Sequence, residues 1–220
     1  EDSGDKNTSR PEAEEVFLFA GYKGGQSKNS VVTFKPETEQ RFREEITQVL
    51  DKYNAGPEDV IVIPGLACGS EIIFAEVCAE RGIPVKLYLP IPDADYVRTF
   101  VSPGGDDWVE RFYKVRNHPL VSERYQLERL GEPKEGVDIY ERNNRWALYS
   151  SLISGVDRVR LIALWDGKSG TDRDSKLVKH MVDLMREMGG IVEQITPSKV
   201  MPIAQQVEKV RSRRQKKSTG

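Results

Sequence analysis

The sequence predicts an α/β fold in which helices cover both faces of a mostly parallel sheet. Three observations lead there. Short, mainly apolar runs recur at 16–20, 60–63, 85–89, 159–164 and 191–195, the pattern of strands buried on both faces. Stretches with apolar residues at helical spacing separate them, so strand-like and helix-like segments alternate almost end to end. The runs at 16–20, 60–63 and 159–164 also open into glycine-bearing turns, at the edge where open parallel sheets hold their ligands.

Each element has its own local warrant. The first strand, 16–20, ends at Gly21-Tyr22-Lys23-Gly24-Gly25. A helix over 37–53 follows from the stripe Phe42, Ile46, Val49 and Leu50, with Pro36 just inside its start and Gly56-Pro57 beyond its end. Strand 60–63 runs into the small-residue loop 65–70. An amphipathic helix is expected over 71–81, stopped by Gly82, and a strand over 85–89. This is a βαβ unit. Pro92-Asp93 starts a short helical piece carrying Tyr96, Val97 and Phe100. Pro103-Gly104-Gly105 breaks it, and Asp106 caps a second piece through Val109, Phe112 and Val115. A short strand within 120–127, a loop at 131–136 and a helix over 139–153 come next. Strand 159–164, a turn at 165–171, a helix over 174–188 closed by Gly189-Gly190 and a final strand 191–195 complete the series.

At 220 residues the chain suffices for one sizeable α/β domain. We place it at 16–196, between a polar segment 1–15, expected to be disordered or a linker, and a basic tail, 197–220, helical or disordered. No apolar run reaches 18 residues, so no membrane span is expected. The first residue is not Met and no secretory signal is visible, which suggests a domain excised from a longer, multidomain protein, or a processed one. Cys68 and Cys78 are the only cysteines, fitting a reducing, cytoplasmic setting better than a disulfide scaffold. With His118 and His180 far apart in sequence they form no zinc signature, and no metal or cofactor is expected. The net charge of −2 conceals six basic residues within 209–217 and −8 on the remainder. An acidic body argues against general nucleic-acid binding.

Several groups could carry chemistry. The loop Gly65-Leu66-Ala67-Cys68-Gly69-Ser70 lets backbone approach a ligand and presents a helix start to phosphate; alternatively it is a tight strand–helix turn. Glu71, in the first helical turn, could accept ribose hydroxyls, act as a base or satisfy the helix dipole. Arg142, Asn144 and Arg145 beside Trp146 offer guanidinium and amide groups suited to phosphate and ribose. Asp166-Gly167-Lys168-Ser169-Gly170-Thr171 places small donors at a second strand–helix corner. Cys68 reads as a small filler residue rather than a nucleophile, since no His is near in sequence. Trp108, Phe112 and Tyr113 form a hydrophobic helix face or a lid.

Three stretches together resemble the Smf/DprA–Lonely-Guy (SLOG) superfamily of Rossmann-like proteins. Ile63-Pro-Gly-Leu-Ala-Cys-Gly-Ser-Glu71 with Gly82-Ile83-Pro84-Val85 looks like its strand–loop–helix–strand. Asn144-Arg145-Trp146-Ala147-Leu148, followed by Leu161 to Trp165 and Asp166 to Thr171, is similar to its Arg-Asn run, apolar strand and Gly-Gly-Thr loop. Phe19-Ala20-Gly21-Tyr22-Lys23 is like its first-strand end. The resemblance implies a Rossmann-like three-layer sandwich. It also implies a ligand site drawn from Gly21, Tyr22, Lys23, Gly65, Ala67, Cys68, Gly69, Ser70, Glu71, Arg142, Asn144, Arg145, Asp166, Gly167, Ser169, Gly170 and Thr171. Asp172-Arg173-Asp174 stands where the phosphoribohydrolases carry paired Glu residues, so the likeness points to the branch that senses nucleotide-derived signals such as ADP-ribose.

The leading expectation is therefore a sensor module for a nucleotide-derived small molecule, within a larger regulatory or defence protein. A nucleotide N-glycosidase using Glu71 or Asp166 is the alternative. A scaffold, self-associating or bound to nucleic acid through the tail, is the third.

Overall fold

The computed structural model describes residues 15–24, 32–168, 170 and 172–202. Its centre is a sheet of six strands, β1 (Val16–Gly21), β2 (Val60–Ile63), β3 (Val85–Leu89), β4 (Val121–Tyr125), β5 (Val159–Leu164) and β6 (Ile191–Ile195), in the order β4-β3-β2-β1-β5-β6. Every pairing is parallel. The sheet is thus wholly parallel, and the architecture is the expected Rossmann-like α/β sandwich.

The longer helices are α1 (Pro36–Lys52), α2 (Ser70–Glu80), α4 (Asp106–Arg116), α6 (Ile139–Ser151) and α7 (Arg173–Glu187). Shorter ones are α3 (Asp93–Tyr96), α5 (Gln126–Leu130) and α8 (Pro197–Val200). Helices α1, α2 and α4 pack together over one face of the sheet, α6 and α7 over the other. The strand sequences explain this. All six residues of β1 are buried, because each side of this central strand meets a helical layer. Phe19 stacks on Phe74 of α2 with ring centroids 4.2 Å apart and also faces Phe42 of α1.

Two local expectations are corrected. Helix α2 is not amphipathic: Ile72, Ile73, Phe74, Ala75, Val77 and Cys78 bury it nearly all round, as befits a helix wedged between the sheet, α1 and α4. Glu76 and Glu39 instead meet Arg43 and Arg111 in an ion network between these helices. The segment after β3 is also more irregular than two helices, since a turn of π-helix (Val97–Val101) and one of 3-10 helix (Ser102–Gly104) join α3 to α4.

At the start, Glu15 is already tied down. Its N–H donates to Asp59 Oδ1 at 2.9 Å, and its carboxylate meets Arg160. The expectations for 1–14 and 203–220, including the basic tail, lie outside the described residues. No described helix is long and apolar enough to cross a membrane.

Candidate functional site

The chain builds outward from β1 to β4, then returns to place β5 on the other side of β1. That reversal opens a crevice at the carboxyl edge, where doubly wound sheets bind ligands. Three predicted loops meet there.

They are joined by the residues the sequence nominated. Lys23 and Gly69 form an antiparallel bridge, and the Gly24 N–H donates to the Cys68 carbonyl at 2.8 Å. Gly69 has φ +96°, and a Cβ there would fall 2.1 Å from the Gly24 nitrogen, so glycine is required for loop-to-loop contact. Ser70 Oγ donates to the Tyr22 carbonyl at 2.8 Å, and the Tyr22 hydroxyl donates to Asp166 Oδ1 at 2.8 Å. Asp166 also accepts the Lys168 N–H, closing an Asx-type turn through Gly167. Cys68 donates its thiol to the Gly24 carbonyl, and burial pushes its pKa up to about 12. It is a packed thiol, in keeping with the filler reading. Tyr22, Cys68, Gly69, Ser70 and Asp166 are therefore the frame that clamps the loops together.

Facing the cleft are a smaller predicted set, Gly21, Lys23, Glu71 and Asn144. Lys23 Nζ lies 2.6 Å from Asp174 Oδ1 and 4.1 Å from the centroid of the Phe100 ring. Asn144 donates to the Leu177 carbonyl at 3.1 Å and stands 3.4 Å from His180 Nδ1. Burial holds His180 below the usual histidine range. Glu71 turns its carboxyl inward, accepting the Ala67 N–H at 2.6 Å and bonding the Tyr96 hydroxyl. Desolvation raises it to about 7, against the opposing pull of the Ala67 N–H and of Lys23.

The loop amides offered to phosphate already have partners: Leu66 N–H meets the Tyr96 hydroxyl, Ala67 N–H meets Glu71 and Cys68 N–H meets the Phe100 carbonyl. Gly65 is small because Tyr96 Oη and Glu71 Oε2 would lie 2.6 and 2.7 Å from a Cβ.

Arg142 and Arg145 stand elsewhere. Arg142 donates to the carbonyls of Leu130 and Gly131, both at 2.8 Å, and so caps the end of α5. Arg145 pairs with Glu141 one helical turn away. Gly170 packs against Ser175 and Asp172, while Ser169 and Thr171 lie outside the described residues.

What sequence reasoning did not nominate is the aromatic and acidic wall. Tyr96, Phe100 and Tyr140 line the cleft, with Asp174 opposite. Phe100 meets Tyr140 edge-on at 5.2 Å and Tyr96 at 4.9 Å. Tyr96 and Phe100 belong to the short helical piece expected after Pro92, and Asp174 to the start of the helix expected over 174–188; nothing local says that they look into a cleft. Trp108 does not line it, lying instead under the Arg111 guanidinium at 4.3 Å.

The cleft encloses only about 50 Å³, room for one or two waters rather than a small-molecule ligand. Beside it, sharing Pro90, lies a groove of about 360 Å³ lined by Leu89, Ile91, Tyr125 and Leu127 with the carboxylates of Asp93 and Glu128. Among the described residues no cluster of His, Cys, Asp and Glu is arranged to hold a metal ion. Comparison with family models, curated proteins and solved structures finds no match for the chain.

Proposed function

We propose that this domain is a sensor module that binds a nucleotide-derived ligand of the ADP-ribose type at the carboxyl edge of the sheet. One observation carries the reading. A cation (Lys23), an acid (Glu71), an amide (Asn144) and three aromatic rings (Tyr96, Phe100, Tyr140) converge beside the reversal of strand order. Lys23 supplies charge for phosphate, Glu71 and Asn144 supply acceptors and donors for ribose hydroxyls, and the rings supply an apolar wall beside a base.

Two features refine the sequence-based picture. Of the cations expected at the phosphate, Lys23 with Arg142 or Arg145, Lys23 lines the cleft, whereas both arginines are engaged away from it. Binding also requires the cleft to widen, with the Pro90 groove giving the ligand room beyond it. The resemblance of the three stretches to the SLOG superfamily, together with Asp172-Arg173-Asp174 in place of paired Glu residues, supports the same class of ligand.

A thermal-shift panel of AMP, ADP, ATP, NAD, ADP-ribose, its cyclic isomers and cyclic dinucleotides tests the reading. A ligand at 100 times its Kd should add about 2.7 kcal/mol, or roughly 5–10 °C for a domain of this size. A flat panel counts against it.

The position of Glu71 favours a second reading, N-glycosidic cleavage. A carboxyl with a pKa of about 7 inside a cleft is poised as a general acid or base. Asp166, the other carboxylate expected for this reading, does not line the cleft and is bonded to Tyr22 and the Lys168 N–H in its turn. Free base released by the wild type but not by Glu71→Gln would favour this reading; no product from any nucleotide would dismiss it.

A further inference from the structure

The charges facing the cleft conflict with an anionic ligand. Lys23 is the cation there, and Glu71 and Asp174 are the acids. Lys23 is not idle: its ammonium is held between the Asp174 carboxylate at 2.6 Å and the face of Phe100 at 4.1 Å. Its backbone is pinned by the bridge to Gly69, so only the side chain is free to change partner. The 50 Å³ that remain are what this arrangement leaves open.

We propose that Asp174 is a built-in stand-in for the ligand's anionic group, and that a phosphate or pyrophosphate displaces it from Lys23 to open the cleft. This deepens the nucleotide-ligand reading and rests on it for the location of the site. Asp174 supplies a carboxylate where Lys23 would otherwise meet a phosphate oxygen, and both are charge-assisted acceptors for the same ammonium. An anion must therefore outcompete a tethered carboxylate. Weak anions then leave the cleft shut, whereas a doubly or triply charged group opens it. Glu71 faces the same ammonium and is the second acid that an incoming anion must approach. Asp174 thus sets a threshold for ligand charge.

The test uses inorganic pyrophosphate at constant ionic strength, measured by isothermal titration on the wild type, Asp174→Asn, Lys23→Met and the exposed-loop control Glu132→Gln. Releasing Lys23 from one partly exposed ion pair should tighten pyrophosphate binding in Asp174→Asn about two- to fivefold. Lys23→Met should abolish binding, and Glu132→Gln should match the wild type. Asp174→Ala replaces Asp174→Asn if the latter does not fold, with the same expectation. Unchanged or weaker binding in the Asp174 variants would overturn the proposal, as would an equal gain in Glu132→Gln, which would show a general charge effect. The two readings fail separately. Nucleotides that bind with no Asp174 effect sink the displacement alone. Tighter pyrophosphate binding beside a flat nucleotide panel sinks the nucleotide assignment alone.

Discussion

Replacing Glu71 by Gln should remove a pH dependence from folding stability. Burial lifts the Glu71 carboxyl from an ordinary 4.5 to about 7, so between these values the folded state holds a proton that the unfolded chain has released. Below pH 4.5 both states are protonated and nothing is lost. As pH rises through the window the wild type loses stability, and above pH 7 the loss is complete. At about 1.4 kcal/mol for each pH unit, the full gap amounts to about 3 kcal/mol. Gln keeps an oxygen for the Ala67 N–H and cannot ionise. Urea unfolding of both proteins in steps from pH 4.5 to 8 should show the variant gaining on the wild type by that amount. A constant difference would refute the reasoning. A wild type that gains on the variant would show instead that Lys23 and the loop N–H hold Glu71 ionised in the folded state.

Gly69→Ala should cost about 3 kcal/mol, because its Cβ meets the Gly24 backbone at 2.1 Å and φ is +96°; a loss below 1 kcal/mol on denaturation would contradict the clamped-loop account. Asn143→Ala should cost about 2–3 kcal/mol, since its buried amide donates to the Tyr88 carbonyl at 2.8 Å and accepts from Gln126, and calorimetry would detect this as a lower Tm. Arg142→Ala should cost about 1–2 kcal/mol through the freed carbonyls of α5, while Arg145→Ala should change stability by less than about 0.5 kcal/mol. Neither arginine variant should alter ligand affinity in a titration.

The sheet was legible because strands buried on both faces are mainly apolar, and 16–20, 60–63, 85–89 and 159–164 are short runs of that kind, bounded by turns and broken only by the partly exposed Lys86 and Arg160. Helix α2 was misread for a physical reason. Glu76 looks like a solvent-facing residue, yet its charge is spent on Arg43 and Arg111 from neighbouring helices, a pairing that sequence order does not reveal. The loops were located by their glycines, but a glycine reports close approach without saying to what. At Gly69 the neighbour is Gly24, on another loop. Arg142 met the same limit, because its partners are carbonyls of a helix end that no side-chain pattern announces. Lys23 was found from its place after β1, whereas Asp174, 151 residues away, becomes its partner only once β1 and α7 are packed.

The central claim is that a nucleotide-derived ligand engages Lys23 at the carboxyl edge of the sheet. The most direct measurement is isothermal titration of the ligand giving the largest thermal shift into the wild type, Lys23→Met and Arg142→Ala. Loss of a charge-assisted contact predicts affinity about tenfold or more weaker for Lys23→Met, with Arg142→Ala indistinguishable from the wild type. Equal affinity in Lys23→Met, or a loss confined to Arg142→Ala, would place the ligand elsewhere and contradict the account.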